Sequence, residues 1–188
     1  MFKYTKSIFS KFLLIVLLEV FLPSVSPAQT NMDSLWGVCK NQTDTIRLAC
    51  LSEKVLHFCT EKSDSCYLVG KLLVDEAAAM GDIQEVMNAH KQMALLDWHF
   101  GRYQDAVDDF RGAANAARKG RQYEALAQHL NNTAYAYREL GLLDSALIFH
   151  QRSYEICKER SIKSNISNAL YGCGHISKLR GDFLTAMD

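Results

Sequence analysis

Apolar residues along this chain recur at intervals of three and four, as in Leu126, Leu130, Thr133, Ala134, Tyr137 and Leu140, and not at two. That period places them on one face of a helix and argues against strands. Read this way, the pattern predicts helices over 44–59, 64–79, 82–99, 103–118, 122–139, 143–159 and 162–179, with a last one from 183. They form four helix pairs, the final one incomplete. Gly81, Gly101, Gly120, Gly141 and Gly181 fall between the helical runs, where they read as C-caps or tight turns between antiparallel helices.

A longer interval is laid over the short one. Gly101-Arg-Tyr-Gln-Asp-Ala106, Gly141-Leu-Leu-Asp-Ser-Ala146 and Gly181-Asp-Phe-Leu-Thr-Ala186 follow one another at 40 residues. The same spacing aligns small residues in columns: Ala94, Ala134 and Gly174; Cys66, Ala106, Ala146 and Ala186; Ala77, Ala117 and Cys157. Bulky residues fill other columns, such as Tyr103, Leu143 and Phe183, or Phe110 and His150. Small and large residues alternating at fixed offsets are what helix-on-helix packing requires. A fixed period of this size marks an array in which each helix pair buries its apolar face only against a neighbour.

The segment Leu130-Asn-Asn-Thr-Ala134-Tyr-Ala-Tyr137-Arg-Glu-Leu-Gly141-Leu-Leu143-Asp-Ser-Ala146 resembles a tetratricopeptide repeat. The family places a small residue, an aromatic, a turn glycine, an apolar residue and an alanine at these relative positions. The likeness covers roughly residues 44–188, best over 82–160, and is weaker before Glu61, which replaces the turn glycine. The period departs from the usual length of about 34, and no proline closes any unit. Longer helices would absorb the additional residues, as in extended members of the family. The exported repeat regions of Bacteroidetes-type regulators are similar in style. The resemblance implies an all-α fold, a right-handed superhelix of antiparallel helix pairs forming an α-α solenoid.

It also implies peptide capture in a groove lined by the first helix of each pair. The matching residues are Asn88, Lys91, Leu95 and Trp98 in one unit, Gln128, Asn131, Tyr135 and Arg138 in the next, and Asn168, Tyr171, His175 and Lys178 in the third. Their amides, aromatics and cations suit peptide recognition. The carboxylate clamp of chaperone-binding members is incomplete. Lys91 and Asn132 match it, but Leu95, Asn168 and Gly172 stand where an amide and two cations are needed.

The first residues are read as targeting signal and not as fold. Lys3, Lys6 and Lys11 make a basic start, Phe12 to Leu22 is an apolar run, and Ser26-Pro27-Ala28 precedes Gln29. This is the anatomy of a secretory signal peptide over 1–28. The run contains Glu19 and falls short of the roughly 20 residues a spanning helix needs. An uncleaved membrane anchor is the alternative. Residues 29–43 then form a polar linker or N-terminal cap, and 44–188 the repeat domain. Asp188 falls only a few residues into a second helix, so either the chain is a fragment or helix 162–179 caps the array and the tail frays. The expected location is outside the cytoplasm, in periplasm or envelope.

Charge excludes one class of partner. The chain has 21 Lys+Arg and 21 Asp+Glu; three of those cations and one of those acids precede residue 29, which leaves 18 and 20. Nucleic-acid binding requires a concentrated basic surface, and Arg118-Lys119-Gly-Arg121 is too short for one. It reads as cations complementing a helix C-terminus.

Six cysteines stand at 39, 50, 59, 66, 157 and 173. Cys59 and Cys66 flank one inter-helix turn, and a bridge between them would staple the first pair. Buried free thiols are the favoured reading, because Cys66 and Cys157 occupy alanine columns and Cys50 aligns with Leu130 and Leu170. His57, His90, His99, His129, His150 and His175 lack metal-ligand spacing, and His150, in the column of Phe110, reads as a packing residue. No nucleophile motif or phosphate loop appears, so no catalytic residue, metal or cofactor is expected. The partner expected is a protein or peptide, with no nucleic acid and with membrane contact only through an uncleaved signal segment or a longer native chain. The function implied is a non-catalytic binding module, the sensing or interaction part of a signal-transduction system. The alternative is a free-standing envelope scaffold for the assembly of other proteins.

Overall fold

The computed structural model describes residues 39–58 and 64–182. Within them the chain forms seven α-helices and no strand: α1 (Asp44–Phe58), α2 (Asp64–Met80), α3 (Ile83–His99), α4 (Tyr103–Lys119), α5 (Tyr123–Glu139), α6 (Leu143–Glu159) and α7 (Ile166–Arg180). Each helix packs on the next, and α5 also reaches α7 while α1 reaches α3. This is a one-dimensional stack of antiparallel pairs, an all-α helical solenoid. No helix among the described residues is long and apolar enough to cross a membrane. The segments read as signal peptide and linker, and the helix expected from 183, lie outside the described residues.

The small-residue columns are the seams of the stack. Ala77, Ala117 and Cys157 are all fully buried, as are Ala94 and Ala134 in a second column and Ala106 and Ala146 in a third. A methyl-sized side chain at these positions lets the backbones approach closely. Larger residues fill the space between: Leu48, Leu51, Val69 and Leu73 in the first pairs, Met87, Leu126 and Leu130 further on, and Val107 with Phe110 between α3 and α5.

The 40-residue glycine column has a backbone cause. At the ends of α3, α4, α5, α6 and α7 an N–H reaches back to close the last turn: Arg102 to Asp97, Gln122 to Ala117, Leu142 to Tyr137, Ile162 to Cys157 and Asp182 to Ser177. These are Schellman closures, which require a left-handed residue just before the donor. That residue is Gly101, Gly141 or Gly181 on one edge of the stack, with φ of 74°, 75° and 81°. On the other edge it is Arg121 at 54° and Ser161 at 56°. Gly120 is the C-cap of α4, as expected, with φ of −78°, and the left-handed residue is the Arg121 that follows it. What Gly120 supplies is space, since a Cβ there would lie 2.9 Å from the Ile83 side chain.

Six of the seven helices fall within a residue of the expected bounds. The exception, α7, starts at Ile166 and not at 162. The Ser164 hydroxyl donates to a Glu124 carboxylate oxygen at 2.6 Å, and the Asn165 amide donates to the Glu124 carbonyl at 3.3 Å. These bonds offer the backbone an alternative to a further helical turn.

The cysteine reading also changes. Cys39 and Cys50 form a disulfide, with Cα atoms 5.9 Å apart, that ties the segment before α1 to α1 itself. Sequence reasoning aligned Cys50 with two leucines, and no column reaches back to Cys39, so this pairing was invisible to it. Cys157 and Cys173 are free, and burial pushes both thiols up. Cys59, one half of the possible Cys59–Cys66 bridge, lies outside the described residues.

Candidate functional site: the inner helix groove

The alternation of the stack brings α3, α5 and α7, the first helices of successive pairs, along one face. Leu95 and Trp98 of α3, Asn132 and Tyr135 of α5, and Phe110 of α4 line a cleft of about 160 Å³. Leu95 is 49% exposed, and Phe110 forms the buried floor. Trp98 is held by an edge-to-face contact with Tyr103 at 5.4 Å. A second edge-to-face contact, at 4.9 Å, sets Tyr135 on the buried ring of His150. The Arg138 guanidinium lies over the Tyr135 ring at 5.2 Å and bonds Glu139 through Nη2 at 2.6 Å. Burial raises the Tyr135 phenol, and the Arg138 charge opposes that rise. The phenol thus remains a neutral donor at the cleft.

The structure places eleven of the twelve expected groove residues at exposed or partly exposed positions and removes one. Asn131 is 3% exposed and points into the core, where its Oδ1 lies 3.0 Å from His150 Nδ1. Its neighbour Asn132 lines the cleft in its place. The next apolar position, Leu130, is buried between α5 and its neighbours, and the helical phase carries Asn131 inward with it. Asn88 accepts a bond from Gln84 at 3.2 Å, and Gln84 in turn accepts one from Gln122, which couples the starts of α3 and α5. Tyr171, 66% exposed, stacks on His175 at 5.9 Å, while Asn168 and Lys178 lie exposed along α7. Lys91 is also exposed. Gln128 belongs to a second, wider cleft of about 610 Å³ with Gln122, Tyr123, Glu124, Ala125, Ser164 and Asn165.

Buried polar groups hold the groove from below. His150 is fully buried and rests on α7, so close that a Cβ on Gly172 would lie 2.3–2.4 Å from its ring. Desolvation lowers its pKa to about 4, and the charges of Arg138 and His175 push the same way. His129 is likewise lowered to about 4, by burial first and then by Lys91. Both rings are neutral at pH 7. Asp97, fully buried, accepts bonds from Arg102 at 2.8 Å where α3 turns into α4. Burial raises its pKa to about 6 against the opposing pull of Arg102. Sequence reasoning missed Asp97; the one available signal was an acidic residue in a column otherwise held by Tyr137 and Ser177.

A family model for the tetratricopeptide repeat matches residues 85–159, the stretch from α3 to the end of α6. Over those residues the chain is similar to tetratricopeptide repeats. Such repeats generally mediate contacts between proteins and are generally non-catalytic. The fold is also that of the crystal structure of BtubC (BKLC) from P. vanneervenii, with a TM-score of 0.64 at 16% identity over 79% of this chain. The match covers 62% of that protein, so this chain spans less than two thirds of its length. No curated protein matches.

Proposed function

We propose that this chain is an exported tetratricopeptide module that captures an extended peptide segment across α3, α5 and α7, as the interaction or sensing part of a regulatory system. The observation that carries the reading is the cleft of Leu95, Trp98, Phe110, Asn132 and Tyr135. It has apolar walls for one large side chain, an amide at the rim for a peptide group, and two braced aromatic rings that lose little entropy on binding. Export is supported by the signal-like residues 1–28 and by the Cys39–Cys50 disulfide, since such bridges persist in oxidising compartments.

The reading is tested by selecting random 12-residue peptides displayed on phage against the full chain and against Leu95→Asp. Selection of a large apolar residue at one peptide position, lost in the variant while helicity is kept, is the expected result. Peptides that bind parent and variant equally would place capture elsewhere.

A further inference from the structure

Successive turns of an antiparallel stack alternate between its two edges, so the α4–α5 and α6–α7 turns lie side by side. Arg160 confirms their adjacency by stacking on the Tyr123 ring at 3.9 Å, as do the Ser164 and Asn165 bonds to Glu124. Six cations fall on these two turns: Arg118, Lys119, Arg121, Lys158, Arg160 and Lys163, all exposed. None is paired with a carboxylate among the described residues, as Arg152, Lys71, Lys91 and Lys178 also are not, whereas Arg47, Arg102, Arg111, Arg138 and Arg180 are. The carboxylates nearby are Glu124, engaged by Ser164, with Glu155 and Glu159.

One observation sets this edge apart from ordinary helix capping. The turn between α2 and α3 has the same register and reads Ala78-Ala79-Met80-Gly81-Asp82, without a cation, so a helix end at this place in the stack does not need one. Arg121 also occupies the left-handed position that Gly81 fills with φ of 70°. A non-glycine residue there is held in an unfavourable conformation. Ser161 of the next unit adopts the same conformation, so the strain itself does not call for a cation.

The edge adjoins the wide cleft of Gln122, Tyr123, Glu124, Gln128, Ser164 and Asn165, where Ser164 engages the Glu124 carboxylate and Arg121 and Lys163 are the chain neighbours. Its amides and hydroxyl suit a peptide backbone, and a flat lipid surface could not enter it. From Tyr135 at the apolar cleft to Glu124 at this edge, α5 runs eleven residues, about 16 Å at 1.5 Å per residue. An extended peptide covers that distance in about five residues.

We propose that the basic edge docks an acidic stretch of the same peptide, about five residues from the large apolar side chain held between α3 and α5. This rests on the groove reading and adds the partner's charge and spacing to it. The experiment is the same display selection, repeated at about 0.05 M and 0.3 M salt on parent, Arg121→Gly and R118E/K119E full-length chains. Asp and Glu should be enriched about fivefold over Lys and Arg near that spacing at low salt, and less at high salt. In Arg121→Gly the acidic enrichment should fall while the apolar position stays, with a melting temperature equal to or above the parent's. R118E/K119E should abolish the acidic enrichment. Apolar selection without acidic selection overturns this inference and leaves the groove standing; no selection at all overturns both. Sedimentation with vesicles of equal phosphatidylglycerol and phosphatidylcholine that Arg121→Gly weakens, in the absence of acidic peptide selection, would assign the edge to a membrane and overturn it too.

Discussion

Lowering the pH from 7 to 5 should destabilise the array through two buried imidazoles, partly offset by one buried carboxyl. His129 and His150 titrate near 6.5 in the unfolded chain and near 4 in the folded one. Between those values the unfolded state binds more protons, so stability is lost as pH falls. At pH 5 each ring contributes a loss of nearly 2 kcal/mol relative to pH 7, about 4 kcal/mol together. Asp97 works in the opposite sense. Its folded pKa of about 6 lies above the ordinary 3.8, so the folded state takes up the proton first and gains about 1.3 kcal/mol over the same interval. The net loss expected is about 2.5 kcal/mol, measured as unfolding free energy from urea titrations followed by circular dichroism. Asp97→Asn should deepen the loss to about 4 kcal/mol. His150→Phe, which restores the side chain of the Phe110 column, should make the profile almost flat. Stability unchanged between pH 7 and 5 would refute the claim that these rings are buried neutral, and an Asp97→Asn profile no steeper than the parent's would refute the raised Asp97 carboxyl.

Other substitutions test the packing. Gly172→Ala should cost about 1–3 kcal/mol by urea unfolding, because the added methyl collides with the buried His150 ring. Arg102→Met should lower stability by about 3 kcal/mol at pH 7 by leaving the Asp97 carboxyl unpaired, and the loss should shrink as pH falls through about 6. Cys39→Ser/Cys50→Ser opens a loop with a sequence separation of 11 and should cost about 2–3 kcal/mol, seen as faster amide exchange confined to α1 and α2.

Much of the fold was legible because the repeat forces it. A residue 40 positions from its equivalent meets the same neighbours, so Ala77, Ala117 and Cys157 announce one seam and Gly101, Gly141 and Gly181 one backbone conformation. Legibility failed where one unit solves a problem its own way. Arg121 and Ser161 adopt the left-handed turn without glycine, and Ser164 and Asn165 trade a helical turn for bonds to Glu124. The groove was legible as a helix face, but its inner boundary was not. Asn131 and Asn132 are chemically identical in sequence, and only the phase set by Leu130 and the partner His150 sends one inward and one to the cleft. The Cys39–Cys50 bridge joins a segment outside the period to one within it, and so left no mark in any column.

The central claim is that the inner face between α3 and α5 is where a partner binds. Its most direct measurement is photo-cross-linking in native cells from a benzophenone amino acid placed at Leu95, compared with the same probe at Ile148, which is 46% exposed on α6. A discrete adduct should form from position 95, suppressed by Tyr135→Ala, and none from position 148. An adduct from 148 with none from 95 would contradict the claim.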